Sequence, residues 1–264
     1  MSYAISKGAV HMAAAAVVAG NAVAGPVTQA GLFAVDPVVW LALALGMWRL
    51  WREGRDVPPA PSDLVLAVAV AAACLLPSAR IAWIAGAAAF GWLAATEWRR
   101  NGVVPAGMAV LLAVSLREPV TWLLTTLFAE SLLRADALLA GWLASLFLPV
   151  EAVRANIIVT GNGHSLFVMT GCSSVNNLSM ALLFWFAVTR GMGVRAGAGH
   201  AIFLGSLIVA LNVVRLAAMS VSPASYAWLH DGGGATAISL FTAVLTAAVT
   251  WTSLETPHAR PQPA

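Results

Sequence analysis

Three residue types that together can catalyse acyl transfer lie in separate segments of the chain, at Cys172, Arg215 and His230. A cysteine thiolate attacks carbonyl carbons, a histidine transfers protons near neutral pH, and an arginine stabilises negative charge on oxygen. Cys172 precedes Ser173 and Ser174 at the point where an apolar segment starts. Because helix N-termini favour the thiolate form of a neighbouring cysteine, this position suits a nucleophile.

Arg215 lies inside the apolar run 199–221. An arginine within a membrane span costs about 2.5–3.5 kcal/mol on insertion scales and is a functional candidate by default. Asn212 lies three residues earlier, on the same helical face. We expect Arg215 to stabilise an oxyanion, hold the thiolate, or bind a substrate carbonyl or carboxylate. The alternative is that its guanidinium extends to the outer lipid headgroups.

His230 is followed by Asp231 and by the glycines 232–234, which predict a polar and flexible connection before the last apolar run. A histidine there can shuttle protons, and cysteine with histidine suffices for a thioester mechanism. The alternatives are a solvated loop histidine and a cysteine that serves only in packing, as we expect for Cys74 within its apolar run.

The composition places these residues in a membrane protein. Hydrophobic residues make up 60% of the 264-residue chain, its mean hydropathy is +0.85, and charged residues make up 9%. Soluble domains contain about 25% charged residues. Since a crossing helix needs about 20 apolar residues, we predict an all-α polytopic bundle of about eight transmembrane helices, at 9–34, 37–51, 63–79, 81–97, 104–129, 173–189, 199–221 and 235–252.

The net charge of +3 comes from short basic clusters beside the apolar runs, which indicate topology rather than nucleic-acid binding. The positive-inside rule assigns the connections that carry them to the cytoplasm. These connections contain Lys7, Arg49, Arg52, Arg55, Arg99, Arg100, Arg190 and Arg195. The N-terminal segment has a signal-peptide pattern, and we expect it to remain as the first span. Cys172, Arg215 and His230 are then predicted to share the extracytoplasmic side.

A further apolar stretch, 131–150, would reverse this orientation if it crossed the membrane. Arg134 and Asp136 argue against a crossing, and Pro119 could end the fifth span. We therefore predict an interfacial or re-entrant helix on the outer side.

The segment between this stretch and Cys172 has β-branched residues on both sides of Gly161-Asn162-Gly163. Such a sequence supplies the positive φ angles of a tight turn and predicts a small outer β-hairpin. The hairpin either forms a wall of the site that pairs with an extended peptide, or is a surface loop without a binding role. We expect His164 to be a surface histidine.

Three motifs in this half of the chain resemble those of the exosortase/archaeosortase family of membrane cysteine transpeptidases. They are G-C-S-S at 171–174, N-V-V-R at 212–215 and H-D-G-G-G at 230–234. The resemblance covers roughly residues 104–252 and includes the order of the motifs and their placement at span ends. It departs from the family at Ser174, where glycine is common, and in the short interval from Arg215 to His230.

The resemblance implies that Cys172 is the nucleophile and that Arg215 and His230 complete the site, with Ser174, Asn212 and Asp231 as supporting residues. The implied substrates are exported proteins with a C-terminal tail of a short motif, a transmembrane segment and a basic cluster. The implied reaction is cleavage of that tail through a thioester, with transfer to an acceptor or to water. The implied location is a bacterial plasma membrane, with the site on its outer side.

We predict a four-span region over 1–103, a catalytic membrane domain over 104–252 and a cytoplasmic tail over 253–264. The sequence has no HExxH, Walker or GxGxxG motif, so the enzyme hypothesis requires neither metal nor cofactor. The alternative is a non-catalytic transport or assembly protein that uses Arg215 to bind an anion or a partner. A carrier of the repeat type would show two related halves with broken spans, and the sequence has no such repeat.

Overall fold

The computed structural model describes residues 6–30, 36–54, 57–76, 78–194 and 197–255. Within these ranges the chain forms ten α-helices and a small three-stranded sheet, and the structure is 79% helical. The helices are α1 Lys7–Ala30, α2 Pro37–Gly54, α3 Pro61–Ala73, α4 Ala79–Asn101, α5 Ala106–Leu127, α6 Ala129–Ser145, α7 Ser174–Gly191, α8 Ala198–Met219, α9 Pro223–His230 and α10 Gly233–Glu255. The strands are β1 Val150–Arg154, β2 Ile157–Thr160 and β3 Ser165–Phe167. Arg55, Arg195 and residues 256–264 of the predicted tail lie outside the described residues.

Five of the described helices, α1, α4, α5, α8 and α10, are long and apolar enough to cross a membrane. The chain is therefore a helical membrane protein, and the predicted number of eight spans is not confirmed. The other three predicted spans form α2, α3 and α7. Three charged residues in the last two turns of α2, the 13-residue length of α3 and the polar first turns of α7 separate these helices from the five.

Two expectations concern Pro119 and the stretch 131–150, and the structure agrees with only the second as far as a helix is concerned. Pro119 does not end the fifth span, because α5 continues through it to Leu127. A proline inside a membrane helix is tolerated where neighbouring groups satisfy the freed backbone carbonyl. The stretch 131–150 forms the predicted helix as α6, whose 17 residues are not among the five candidate spans.

The chain divides into two compact units, the first of which contains the described residues of Met1–Val120 and Phe186–Ala196. In this unit α1 packs against α2, α3 and α4. A Cβ added to Gly107 would overlap the backbone nitrogen of Leu50, so the start of α5 touches the backbone of α2. Glycine at such crossings allows helices to pack closely in a membrane, where the hydrophobic effect does not drive helix association.

Charged side chains from α1, α2 and α4 and a backbone carbonyl from α7 meet at one end of this unit. Lys7, in the first turn of α1, forms an ion pair with Glu97 near the end of α4. Arg49 of α2 donates from Nη2 to the carbonyl of Arg190 at 3.5 Å, near the end of α7. The connections around these basic residues, which the sequence assigns to one membrane face, therefore lie together.

The second unit contains Thr121–Trp185 and Gly197–Glu255. In it α6 packs against α8, β1 and β2, and α8 packs against α9 and α10. Buried side chains from α6, the sheet, the start of α7, α8 and α9 form one core. Its members are Ala137, Ala140, Ala144, Ile158, Leu166, Val168, Cys172, Leu216, Ala217, Met219 and Leu229.

The predicted hairpin is present as β2 and β3, which pair in antiparallel register from Ile157 opposite Phe167 to Val159 opposite Ser165. Gly163 takes the positive φ angle of 81° that its turn requires. The sequence did not predict β1, which pairs with β2 through a two-residue turn at Ala155 and Asn156. Ala155 has a φ of 52°, a conformation in which a non-glycine residue is strained.

Candidate active site

Cys172 lies where the sheet delivers the chain to α7. Residues 170–172 form a short 3-10 turn, Ser173 has extended backbone, and α7 begins at Ser174. Ser173 Oγ accepts from the backbone N–H of Val175 at 3.3 Å, as an N-cap does. Cys172 is thus just ahead of the N-terminal amides of a helix, as predicted, and it is buried, with 6% of its surface exposed.

A carboxylate on α6 holds the two residues that follow Cys172. Asp136 Oδ2 accepts from Ser173 Oγ and from the backbone N–H of Ser174, each at 3.0 Å, and its Oδ1 accepts from Ser174 Oγ at 2.6 Å. Asp136 is itself buried, with 5% of its surface exposed. Ser174, at the position where the resembled family has glycine, therefore has its hydroxyl engaged within the protein.

Asn212 of α8 holds the same segment from a second helix. Its Nδ2 donates to the carbonyl of Cys172 at 2.9 Å and to Ser174 Oγ at 3.1 Å. Its Oδ1 accepts from Asn177 Nδ2 at 3.3 Å, so the orientation of the amide is determined by its partners. The predicted polar face of α8 is present at Asn212, whose side chain contacts the backbone of Cys172.

Arg215, one turn further along α8, binds the end of α9. Its Nε and Nη2 donate to the carbonyl oxygen of Leu229 at 3.2 and 3.0 Å. Carbonyls in the last turn of a helix lack partners within the helix, and a cation is favourable there. The guanidinium is therefore anchored inside the unit, next to the residue that precedes His230.

His230 is the last residue of the helix α9, and not part of an irregular loop as predicted. Pro223 at the first position and the Ser222 side chain, which accepts from Ser225 N–H at 3.1 Å, start this helix. The ring of His230 stacks on Tyr226, one turn earlier, with 4.9 Å between centroids and 19° between planes.

Asp231 accepts from Nδ1 of His230 at 2.8 Å. A carboxylate can only accept in this contact, so Nδ1 carries a proton and Nε2 is the nitrogen that can take up or release one. Asp231 is itself 80% exposed in its side chain, which weakens its electrostatic effect on the imidazole.

The three candidate residues are joined indirectly. Cys172 shares its core with Leu216 and Leu229, which are the neighbours in sequence of Arg215 and His230. Arg215 reaches Leu229 directly through the two hydrogen bonds to its carbonyl. Within the described residues, no hydrogen bond connects the Cys172 thiol with Arg215 or His230.

The sheet is attached to the C-terminal end of α8. Asn162 in the β2–β3 turn donates from Nδ2 to the carbonyl of Val221 at 2.7 Å. His164 Nε2 lies 3.3 Å from the carbonyl of Met219, and it donates because a carbonyl can only accept. His164, which we expected to be a surface histidine, is therefore half-buried against the helix end.

Two residues of this site were not recognised from the sequence. Asp136 carried a signal, since an ionisable residue in an apolar stretch is a functional candidate, but it was interpreted only as evidence against a span. Tyr226 precedes His230 by four residues, a spacing that places both on one face once α9 is known to be a helix.

The described residues contain no group of three histidine, cysteine, aspartate or glutamate side chains placed to hold a metal ion. Comparisons of the chain with protein-family models, with curated proteins and with solved structures found no match.

Proposed function

We propose that this helical membrane protein is a cysteine transpeptidase or endopeptidase that cleaves the C-terminal tail of exported proteins. The observation that carries the proposal is the anchoring of the Cys172 segment. Asn212 binds the carbonyl of Cys172, and Arg215 on the same helix binds the residue next to His230. One helix, α8, thereby ties together the nucleophile and the proton carrier.

The first half-reaction forms a thioester. Nε2 of His230 takes the thiol proton of Cys172. The thiolate attacks the scissile carbonyl carbon, and the carbonyl oxygen gains negative charge in the tetrahedral intermediate. The C–N bond then breaks, and the leaving amine takes its proton from Nε2 of His230. The acyl group stays on the sulfur of Cys172, while the tail leaves with its new amino terminus.

The second half-reaction releases the acyl group. His230, now neutral at Nε2, removes a proton from an acceptor amine, hydroxyl or water as this group attacks the thioester carbon. The C–S bond breaks and the thiolate of Cys172 is regenerated. Stacking on Tyr226 and the hydrogen bond to Asp231 hold the imidazole so that Nε2 is the nitrogen that reacts.

The proposed location of this chemistry is the outer face of a bacterial plasma membrane. Ser174 and Arg190 lie in the first and last turns of α7, whose 18 residues span about 27 Å at 1.5 Å per residue. Arg190 belongs to the basic clusters that the positive-inside rule assigns to the cytoplasm. With this end inside, Cys172 lies on the outside, where the tail-bearing substrates are exported.

The test compares Cys172→Ala and Cys172→Ser with Cys74→Ala, which removes the other buried thiol of the chain. Tail removal from exported proteins is followed in membranes by intact mass, at matched amounts of each variant. We expect Cys172→Ala to abolish tail removal while the protein still accumulates, and Cys74→Ala to process like wild type.

The proposal is supported if substrates keep their tails with the Cys172 variants but lose them with Cys74→Ala. Tail removal by Cys172→Ala at the wild-type rate contradicts it and leaves the non-catalytic hypothesis, in which Arg215 serves transport or assembly. Arg215→Lys then distinguishes transport from assembly, because an anion carrier is expected to stay active when the positive charge at position 215 is retained.

A further inference from the structure

Asp136 is a buried carboxylate that the proposed half-reactions do not use, and its contacts converge on the two residues after Cys172. Three donors reach it from one dipeptide, namely both hydroxyls of Ser173 and Ser174 and the backbone N–H of Ser174. Because one donor is a backbone amide, these bonds fix the path of the chain as well as two side chains. The carboxylate thereby specifies how the chain enters α7.

A buried carboxylate such as Asp136 is energetically unfavourable if its only role is to fill space in the core. Burying a carboxylate is unfavourable unless hydrogen bonds or opposite charges compensate it, and the three donors here are neutral. The adjacent buried positions on α6, Ala137, Ala140 and Ala144, show that the helix fills this core with small apolar side chains. An apolar residue at 136 would pack with them without a buried charge, but it would leave the donors of Ser173 and Ser174 without an acceptor.

We infer that Asp136 is a positioning residue for the Cys172 nucleophile. It acts from α6 while Asn212 acts from α8 on the carbonyl of Cys172 and the hydroxyl of Ser174. The segment from Cys172 to Ser174 is thus held from two helices. The inference rests on the proposed function, because only a reacting thiol needs a position fixed so closely.

Loss of the carboxylate leaves three buried donors without an acceptor, so the segment relaxes and the thiol moves. A displacement of about 1 Å in a catalytic group can cost about a hundredfold in rate. The same relaxation opens a thiol that is only 6% exposed in the native protein. Asp136 variants are therefore expected to process substrate more slowly and to be alkylated more quickly at Cys172.

The experiment uses full-length protein in membranes with Cys74→Ala, so that Cys172 is the single thiol of the chain. Asp136→Ala and Asp136→Asn are compared with Glu130→Ala and Glu130→Gln, which alter an exposed carboxylate on the same helix. N-ethylmaleimide labelling of Cys172 and tail removal at saturating substrate are measured for each at matched amounts.

We expect Asp136→Ala to accelerate labelling about fivefold or more and to slow tail removal about tenfold or more, with Asp136→Asn in between. The Glu130 variants are expected to match the parent in both measurements. A change confined to thermal stability, with labelling and tail removal at the parental rates, overturns the inference.

If Asp136→Ala does not accumulate, Ser174→Ala takes its place, since it removes one bond to Asp136 and one to Asn212 but keeps the backbone N–H. Faster labelling in Ser174→Ala supports the inference, and parental labelling overturns it. Labelling needs no substrate, so it tests the role of Asp136 independently of the proposed enzyme function. If Asp136→Ala is labelled faster but Cys172→Ala still removes tails normally, Asp136 does position the Cys172 segment, and the proposed function is overturned.

Discussion

Arg215 donates from two guanidinium nitrogens to a single carbonyl oxygen of the polypeptide, that of Leu229. The contact engages Nε and Nη2 within the unit, and the alternative in which the side chain reaches the lipid headgroups stays a prediction. It also explains how an arginine is retained in an apolar helix, since a charge-assisted bond offsets part of the insertion cost. In the proposed reaction, Arg215 acts through the position of His230.

Replacing Arg215 by methionine keeps the length of the side chain and removes both hydrogen bonds. Hydrogen bonds from a charged group contribute about 1.5–3 kcal/mol, so we expect tail removal to slow about tenfold to a hundredfold. Arg215→Lys keeps the charge but not the forked pair of donors, so its rate of tail removal should lie between those of wild type and Arg215→Met. Tail removal is measured beside Arg134→Met, an exposed arginine on α6. Equal rates for Arg215→Met and wild type would contradict the anchoring role.

At the scale of single residues, the sequence identified the groups whose type alone implies chemistry. Cys172, Arg215 and His230 stood out because each is costly or reactive in an apolar setting. Asp136 and Tyr226 did not, because their roles depend on which side chains the fold brings opposite them. The Cys172 segment meets Asp136 across a sequence separation that no local pattern encodes.

The elements around the site contain one strained position, the turn between β1 and β2. Ala155 has a φ of 52°, whereas Gly163 supplies the corresponding positive φ in the turn between β2 and β3. A residue with a Cβ is disfavoured there by about 1–2 kcal/mol relative to right-handed conformations. The turn is retained because pairing of β1 with β2 and packing on α6 surround it.

Ala155→Gly is expected to relieve this strain and to stabilise the second unit by up to about 1 kcal/mol, after the entropic cost of glycine in the unfolded chain. Gly163→Ala introduces the same strain in the neighbouring turn and should destabilise by a similar amount. Thermal unfolding of the detergent-solubilised protein measures both. A lower melting temperature for Ala155→Gly than for wild type would contradict this account of the turn.

The unexpected elements share a physical reason. A tight turn at Ala155 and Asn156 carries no glycine and so no turn signal, and β1 therefore escaped prediction. The segment of α9 was predicted as a loop because it contains serines and precedes three glycines, although Ser222-Pro223 is a typical helix start. The hairpin at Gly161–Gly163 was predictable because its turn residues are the ones that a positive φ requires.

For the molecule as a whole, composition predicted a helical membrane protein, and the helices agree with this class. It also predicted about eight spans, and this number stays a prediction. Among the described residues, five helices are long and apolar enough to cross a membrane, whereas α2 ends in Arg49, Arg52 and Glu53. The predicted orientation follows from the basic clusters, three of which meet at one end of the first unit.

The proposed orientation places β1 outside the cell and the end of α4 inside. Single cysteines at Glu151→Cys and Arg99→Cys, two exposed positions, report on it in a background of Cys74→Ala and Cys172→Ala. A membrane-impermeant maleimide should label the cysteine at position 151 on intact cells and the one at position 99 only after permeabilisation. The reverse pattern would place the site in the cytoplasm.

In the proposed reaction, the acyl group of the substrate passes through the sulfur of Cys172. Hydroxylamine added to membranes during tail removal attacks thioesters, so it should release substrate with a C-terminal hydroxamate that intact mass identifies. We predict this product with the wild-type protein and with Cys74→Ala, and none with Cys172→Ala or Cys172→Ser. Tail removal in hydroxylamine without any hydroxamate, or hydroxamate formation by Cys172→Ala, would contradict the claim.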